Sequence, residues 1–441
     1  MFSTIKNALK TPEVRQKLLY TLLLIVIFRF GCYITVPGVD TFTLSEQMSS
    51  ATNSLSGLIN TISGGAFSRL SIFAMSITPY ITSSIVIQLL AMIIPSLEKA
   101  VKEGGEAGKA MINKYTKLLT ILLSVIEALG IYLSYSSSGI FINPGFVTGL
   151  VVVMALATGT AILTWLGEEI TNKGIGNGIS IIIFIGIISG LPSGITKLWN
   201  LIAAPTGIST TGIVTALVVI IGALLLVAGV VFVQQAERRV PVQYAKKVVG
   251  RKMYGGQNTN IPLKLVMAGV MPVIFASSFM TFPAMMIQIF AADKIGGTGI
   301  IAGLYKFSIA TSSSSVGWGY SLANAIVYFA LILAFTFFYT YATFNPAEVS
   351  ANIKKQGGFI PGIRAGKPTT DYLKSIINKL TVFGAGFLSL IAVIPMLLRF
   401  TSLNLSFGGT SILIVVGVAL ETVQQLESQL MMRHYKGFLE K

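Results

Sequence analysis

Residues able to move protons, hold metals or attack carbonyls are scarce in this chain. It has one histidine, His434, and one cysteine, Cys32. A lone tail histidine makes neither a metal cluster nor a Ser-His pair, and a lone cysteine forms no intramolecular disulfide. With 16 acidic residues among 441, no acid–base pair stands out, so hydrolase chemistry is close to excluded and no catalytic or metal site is expected. Three other kinds of polar residue call for an explanation. Arg29, Glu127, Glu421 and Glu427 interrupt apolar stretches. A Ser-, Gly- and Asn-rich run occupies residues 54–69. Two connections are strongly basic, one with Arg238, Arg239, Lys246, Lys247, Arg251, Lys252 and Lys264, the other with Lys354, Lys355 and Arg364.

The elements that must position these residues are membrane spans. Ten apolar stretches run over Leu18–Val36, Ile72–Ile94, Tyr115–Tyr135, Phe146–Gly167, Ile179–Leu191, Thr211–Gln234, Leu265–Phe290, Tyr320–Phe344, Leu380–Leu398 and Gly409–Met432. Most approach the ~20 residues that cross a hydrocarbon core. Of the 32 Lys and Arg residues, 26 fall in alternate connections, which places both termini in the cytoplasm by the positive-inside rule. Residues are 53% hydrophobic and 11% charged, and mean hydropathy is +0.77, too apolar for a water-soluble fold of this length. The net charge of +16 is met by orientation signals, so nucleic-acid binding is not expected. The basic N-terminus and first apolar run read as a retained helix, not a cleaved signal peptide.

Inside the spans, Arg29, Glu421 and Glu427 read as side chains snorkelling toward an interface, whereas Glu127 sits mid-span. The run before span 2 is too short and polar to cross alone, and within a membrane it would need a protein-lined cavity. Both basic connections are broken by Gly and Pro and read as protruding loops suited to a large acidic partner. Five spans in each half, 1–200 and 201–441, would make any repeat inverted. Each half carries a Pro-x-Ile step in its second span, Pro79-Tyr80-Ile81 and Pro272-Val273-Ile274.

Six blocks in order carry a family resemblance: Ser63-Gly64-Gly65-Ala66 with Ser68-Arg69, Pro79-Tyr80-Ile81, Gly174-Ile175-Gly176-Asn177-Gly178-Ile179-Ser180, Pro262-Leu263-Lys264, Phe359-Ile360-Pro361-Gly362-Ile363-Arg364, and Gly408-Gly409-Thr410-Ser411. Over nearly its whole length the chain resembles the SecY/Sec61 family, most closely its bacterial branch. The resemblance implies an all-α integral membrane protein with ten helices in two inverted five-helix halves around a central pore. It implies a ring of Ile77, Ile81, Ile179, Ile183, Ile274 and Ile414 at the waist. A plug would be formed by segment 57–70, with Gly57, Asn60, Ser63, Gly64, Gly65 and Arg69. A lateral gate between spans 2–3 and 7–8 would carry Thr82, Gln88, Glu127, Ser277, Ser278 and Thr281, with several interhelical hydrogen bonds closing it reversibly. Loops 236–264 and 345–379 would dock the SecA ATPase or the ribosome through Arg238, Arg239, Lys246, Lys247, Arg251, Lys252 and Arg364, an arginine fork suiting carboxylate or phosphate.

What the resemblance further implies is a multi-pass channel in the bacterial cytoplasmic membrane. It would pass signal-bearing, unfolded polypeptides and release membrane segments into lipid, with SecE-like and SecG-like subunits beside it. No cofactor belongs to the chain itself, ATP being used by SecA. A housekeeping channel and an accessory paralogue with restricted substrates both remain open, the unshortened basic loops favouring the first. The rival class, a solute transporter, has in its favour only Asn345-Pro346-Ala347, a single copy of an aquaporin-like tripeptide.

Overall fold

The computed structural model describes residues 8–50, 60, 63–102, 105–136, 138–204, 207–208, 210–244, 247–249, 252–254, 258–291, 294–295, 297, 299–310, 316–398 and 409–439. Of the residues expected to act, Gly57, Lys246 and Arg251 lie outside this set, as do the side chains of Lys247 and Lys252.

The body is helical. In the first half stand α1 (Pro12–Gly31), α2 (Thr41–Ser50), α3 (Thr78–Ile93), α4 (Pro95–Lys102), α5 (Gly105–Tyr135), α6 (Phe146–Lys173), α7 (Gly178–Ser189) and α8 (Leu191–Ile202). The second half has α9 (Thr210–Gln235), α10 (Met271–Phe290), α11 (Ile300–Ile309), α12 (Trp318–Thr343), α13 (Pro346–Lys355), α14 (Lys367–Leu398) and α15 (Gly409–Leu439). Among the described residues, eight helical stretches are long and apolar enough to cross a membrane. The remaining two spans are α1, which carries Glu13, Arg15, Lys17 and Arg29, and α3, which has only 16 residues. Leu19, Leu22, Val26 and Phe30 of α1 are exposed, as expected of a lipid-facing stripe.

Spans 2 and 7 depart from the sequence reading in the same way. Both apolar runs begin about six residues before their helices, and α3 and α10 each start with proline at the second position, Pro79 and Pro272. Proline has no N–H to offer and fits the first turn, where that donor would be unpaired anyway. The turns before span 2 are buried from Ser71 through Ile77, Ile72 excepted. Their backbone is satisfied within protein: Ile72 N donates to Ile34 O at 2.9 Å, Val36 N to Leu70 O at 3.1 Å and Ser71 N to Ala66 O at 3.0 Å, the condition for irregular backbone at membrane depth.

A glycine on the fourth span of each half admits these turns. A Cβ at Gly159 of α6 would stand 1.9 Å from the Ile72 carbonyl oxygen, and one at Gly384 of α14 2.6 Å from that of Leu265. The equivalent approach in both halves supports the inverted repeat suggested by the Pro-x-Ile steps. Gly159→Ala is expected to destabilise the protein by about 1–3 kcal/mol through overpacking. Thermal unfolding of the detergent-purified protein checks this, and an unchanged midpoint would mean that the Ile72 turn packed against α6 relaxes freely.

The two basic connections are not independent loops. Strands β1 (Ala203–Ala204) and β2 (Gly207–Ile208) form a small hairpin elsewhere; β3 (Glu237–Tyr244), β4 (Lys247–Val249), β5 (Lys252–Tyr254) and β6 (Asn258–Lys264) belong to the first connection, and β7 (Gly358–Phe359) to the second. The antiparallel order β6-β3-β7 joins them. Val240, Val242, Leu263, Ile353, Ile360 and Leu373 bury a common core beneath this sheet. The expectation of protruding loops is therefore corrected to one compact appendage. Asn345 caps its helix α13, accepting from Ala347 N at 3.1 Å, with Pro346 in the first turn. The aquaporin-like tripeptide is thus a helix start.

Candidate functional site

All six expected waist isoleucines gather in one contiguous apolar cluster. Ile77, Ile81, Ile183, Ile274 and Ile414 are buried in it, and Ile179 packs against it partly exposed. They come from α3 and its N-cap, α7, α10 and α15. The Gly174–Ser180 block sets the position of α7. Asn177 caps the helix, its Oδ1 accepting from Ile179 N at 3.1 Å and Ser180 N at 3.3 Å. Thr171 Oγ1 accepts from Gly178 N at 2.9 Å. A Cβ at Gly178 would lie 1.9 Å from Gly167 O, so span 5 turns back tightly against span 4. These contacts fix Ile179 and Ile183, one turn apart, in the cluster.

The described part of the expected plug is folded by its own polar groups. Asn60 Oδ1 accepts from Ser68 N at 2.9 Å, and Ser63 Oγ accepts from Phe67 N at 3.2 Å. Gly64 and Gly65 have φ of +67° and +86°, the left-handed region that glycine enters without strain. The helical piece is only Phe67–Arg69. Ala66, Phe67 and Leu70 are buried, and the Phe67 ring meets Tyr135 edge-on at 6.3 Å. A Cβ at Gly64 would stand 3.0 Å from Gly186 O and 2.5 Å from Ser189 Oγ, which puts this backbone one to two turns along α7 from Ile183. Arg69 lies over the Tyr33 ring, its Cζ 4.4 Å from the centroid.

Arg29 differs from its sequence reading. Its Nη1 donates to the carbonyl of Gly64 at 3.3 Å, so the side chain reaches the plug-like segment. A charge near the outer end of span 1 was the available signal; the sequence could not give the direction of the side chain.

The expected gate residues behave less uniformly than anticipated. Thr82 donates to Thr78 O at 3.1 Å, Ser277 to Ile274 O at 2.8 Å, Ser278 to Ile274 O at 3.0 Å and Thr281 to Ser277 O at 3.1 Å. Such back-bonding satisfies a hydroxyl on its own helix, so these four do not supply the interhelical bonds expected of them. Gln88 does cross between halves: the Tyr339 hydroxyl of α12 donates to its Oε1, and its Nε2 donates to Ser84 Oγ at 2.9 Å. Tyr339, which sequence reading missed, also packs on Phe275 of α10 with centroids 5.0 Å apart. Glu127 on α5 is buried, and its Oε1 has no hydrogen-bond partner among the described residues. Along the same helix a Cβ at Gly130 would fall 2.0 Å from Ile289 Cγ1, and Ser134 Oγ donates to Gln288 O at 3.5 Å. Close apolar approach, one long polar contact and one side-chain hydrogen bond join spans 2 and 3 to spans 7 and 8.

On the appendage, Arg238 and Arg239 are exposed on β3, and Arg239 Nε pairs with Glu237 Oε1 at 2.8 Å. Arg364 is exposed in a turn shaped by Gly362 and Gly366, with φ of +81° and +105°. Thr369 Oγ1 donates to the Arg364 carbonyl at 2.9 Å. No carboxylate among the described residues forms an ion pair with Arg364.

A family model described as SecY matches residues 71–423. The chain is 44% identical over 456 residues to the protein translocase subunit SecY of Streptomyces scabiei, and 42% identical over 449 residues to that of Halalkalibacterium halodurans, each match covering 100% of both chains. Among solved structures, one described by the statement that the SecY plug domain stabilises the closed state and maintains a membrane seal superposes with a TM-score of 0.66 at 20% identity, covering 93% of this chain and 91% of that one. Sec61 in the canine ribosome-channel complex gives 0.62 at 19% identity, over 93% and 91%. At these identities the structural matches show the shared fold.

Proposed function

We propose, from the premise that the chain belongs to the SecY family, a working cycle for it as the pore-forming subunit of a protein translocase. The observation that carries this reading is the convergence of six isoleucines from α3 with its N-cap, α7, α10 and α15 on one apolar cluster, with the Gly64 backbone lying just beyond Ile183 along α7. A collar of branched apolar side chains disfavours water and ions, yet an extended polypeptide can part it.

In the resting state the plug-like residues 63–70 fill the outer side of the collar. Burial of Phe67 and Leu70 anchors its C-terminal end, at about 1.5–3 kcal/mol for each side chain, so displacement begins N-terminal to Ala66. The seam between spans 2–3 and 7–8 opens toward lipid. Moving it from about 1:99 to 99:1 requires roughly 5.5 kcal/mol of differential binding. An apolar signal segment and a docked partner supply this together. The appendage receives SecA or the ribosome from the cytoplasmic side, where both termini also lie, and the small subunits resemble SecE and SecG. The chain itself makes and breaks no bond and holds no cofactor; the driving energy comes from ATP hydrolysis in SecA or elongation at the ribosome.

Photo-crosslinking of an arrested precursor tests the cycle. Probes at Ile81, Ile183 and Ile274 are expected to capture it, and a probe at lipid-exposed Leu225 is not; equal labelling at all four positions would refute the central path. Tyr339→Phe, which removes the donor to Gln88, is expected to weaken the closed seam by ~0.6–2 kcal/mol. Export of a precursor with a crippled signal sequence should then rise several-fold, and unchanged export would remove Tyr339 from the seam.

A further inference from the structure

Arg29 is a charged group that the proposed cycle leaves unused. It is the third-last residue of α1 (Pro12–Gly31), at a depth where a charge is costly unless it finds a partner or a wet cavity. Its Nη1 donates to Gly64 O at 3.3 Å, and its Cζ lies 6.0 Å from the centroid of the Tyr33 ring. Among the described residues no carboxylate forms an ion pair with it. The partner position is equally constrained. Gly64 has φ of +67°, and a Cβ there would fall 2.6 Å from Arg29 Nη1 and 2.5 Å from Ser189 Oγ. Span 1 and span 5 therefore clasp one backbone point that has no room for a side chain.

We propose that Arg29 is a positioning residue that latches the plug segment in the resting channel by holding the Gly64 carbonyl. The proposal rests on the channel reading above. A neutral carbonyl suits such a latch better than a carboxylate would. A hydrogen bond from a charged donor shifts an equilibrium by a factor of roughly 10–100, enough to bias the segment and not enough to lock it. A buried ion pair broken on opening would leave two uncompensated charges. Here departure of the segment strands one guanidinium, and water entering the vacated funnel rehydrates it. Tyr33, whose ring faces both Arg29 and Arg69, keeps the guanidinium near its acceptor through the ring's negative face. The bond thus favours the closed state selectively and costs little once the segment has gone.

The test uses vesicles containing the protein with its co-purified membrane partners, and reads chloride efflux without SecA or ATP. Arg29→Met is expected to raise the resting leak about tenfold or more, in keeping with the loss of one charge-assisted bond. Arg29→Lys retains a donor and should stay closer to the unaltered protein than Arg29→Met does. Gly64→Ala attacks the same contact from the other side and should leak comparably. Because both changes break one bond, Arg29→Met with Gly64→Ala should leak no more than the worse single variant. An unchanged leak in Arg29→Met would overturn the latch, as would single effects that multiply in the double variant. Should Arg29→Met fail to accumulate, an unchanged leak in Gly64→Ala would overturn it instead. SecA-driven translocation by the unaltered protein in the same vesicles separates the two claims: its failure would sink the channel reading, whereas its success beside an unchanged leak would sink the latch alone.

Discussion

Replacing Ile81, Ile183 and Ile274 together by serine is expected to raise chloride flux through a channel holding an arrested precursor roughly tenfold or more, because an apolar constriction resists wetting only while its walls are apolar. The three side chains are buried in one apolar cluster, on α3, α7 and α10. Each contributes about 1.5–3 kcal/mol of apolar burial, which a serine does not replace. The arrested state matters because, in the proposed cycle, a precursor then holds the plug-like segment away from the collar, so that the flux reports on the collar itself. Flux across vesicles checks this, with and without arrested precursor. An unchanged flux in the arrested state would remove these isoleucines from the seal.

Arg364→Glu is expected to reduce SecA-driven translocation roughly 100-fold, while thermal stability stays within experimental error. Truncating one member of a close charged pair typically costs 2–5 kcal/mol or more, and reversal adds repulsion. The local structure favours such a role. Arg364 is exposed, lacks a carboxylate partner among the described residues, and stands on a loop held by the Thr369 hydroxyl and two left-handed glycines. Arg239 is the natural control, since Glu237 already engages its guanidinium; Arg239→Ala should change translocation by much less. Equal losses in both variants would point to general surface charge in place of a specific fork.

Much of this fold is legible because lipid imposes few solutions on a chain that must satisfy every backbone group. The long apolar runs of α6, α9 and α12 announce themselves, and the Pro79 and Pro272 steps mark where two spans become helical. The six preceding residues were harder to read. They are as apolar as a span, and only the backbone of residues 34–36 and the cleft at Gly159 show how non-helical turns are accommodated. The appendage was hidden for another reason. Val240 and Val242 alternate as a half-buried strand requires, but Pro241 and Pro262 read as breakers. They are tolerated because β6 is an edge strand and β7 covers β3 only at Gln243 and Tyr244.

The six isoleucines assigned to the proposed waist were singled out only through motif order, since nothing in an isolated isoleucine separates a pore wall from ordinary core. At the seam, residue type misled. Thr82, Ser277, Ser278 and Thr281 have hydroxyls that their own helices satisfy, while the cross-seam bond belongs to Tyr339, 251 residues from its partner. Arg29 shows the same limit: its sequence position announced a cost but not the acceptor, Gly64 O.

The most direct measurement reconstitutes this protein with a SecE-like subunit in liposomes and adds SecA, ATP and a presecretory protein. Acquisition of protease protection by the precursor, lost without ATP and lost with Arg364→Glu, is the predicted result. Correctly folded protein that binds its small subunit yet protects no precursor would contradict the assignment of a SecA-driven translocation pore.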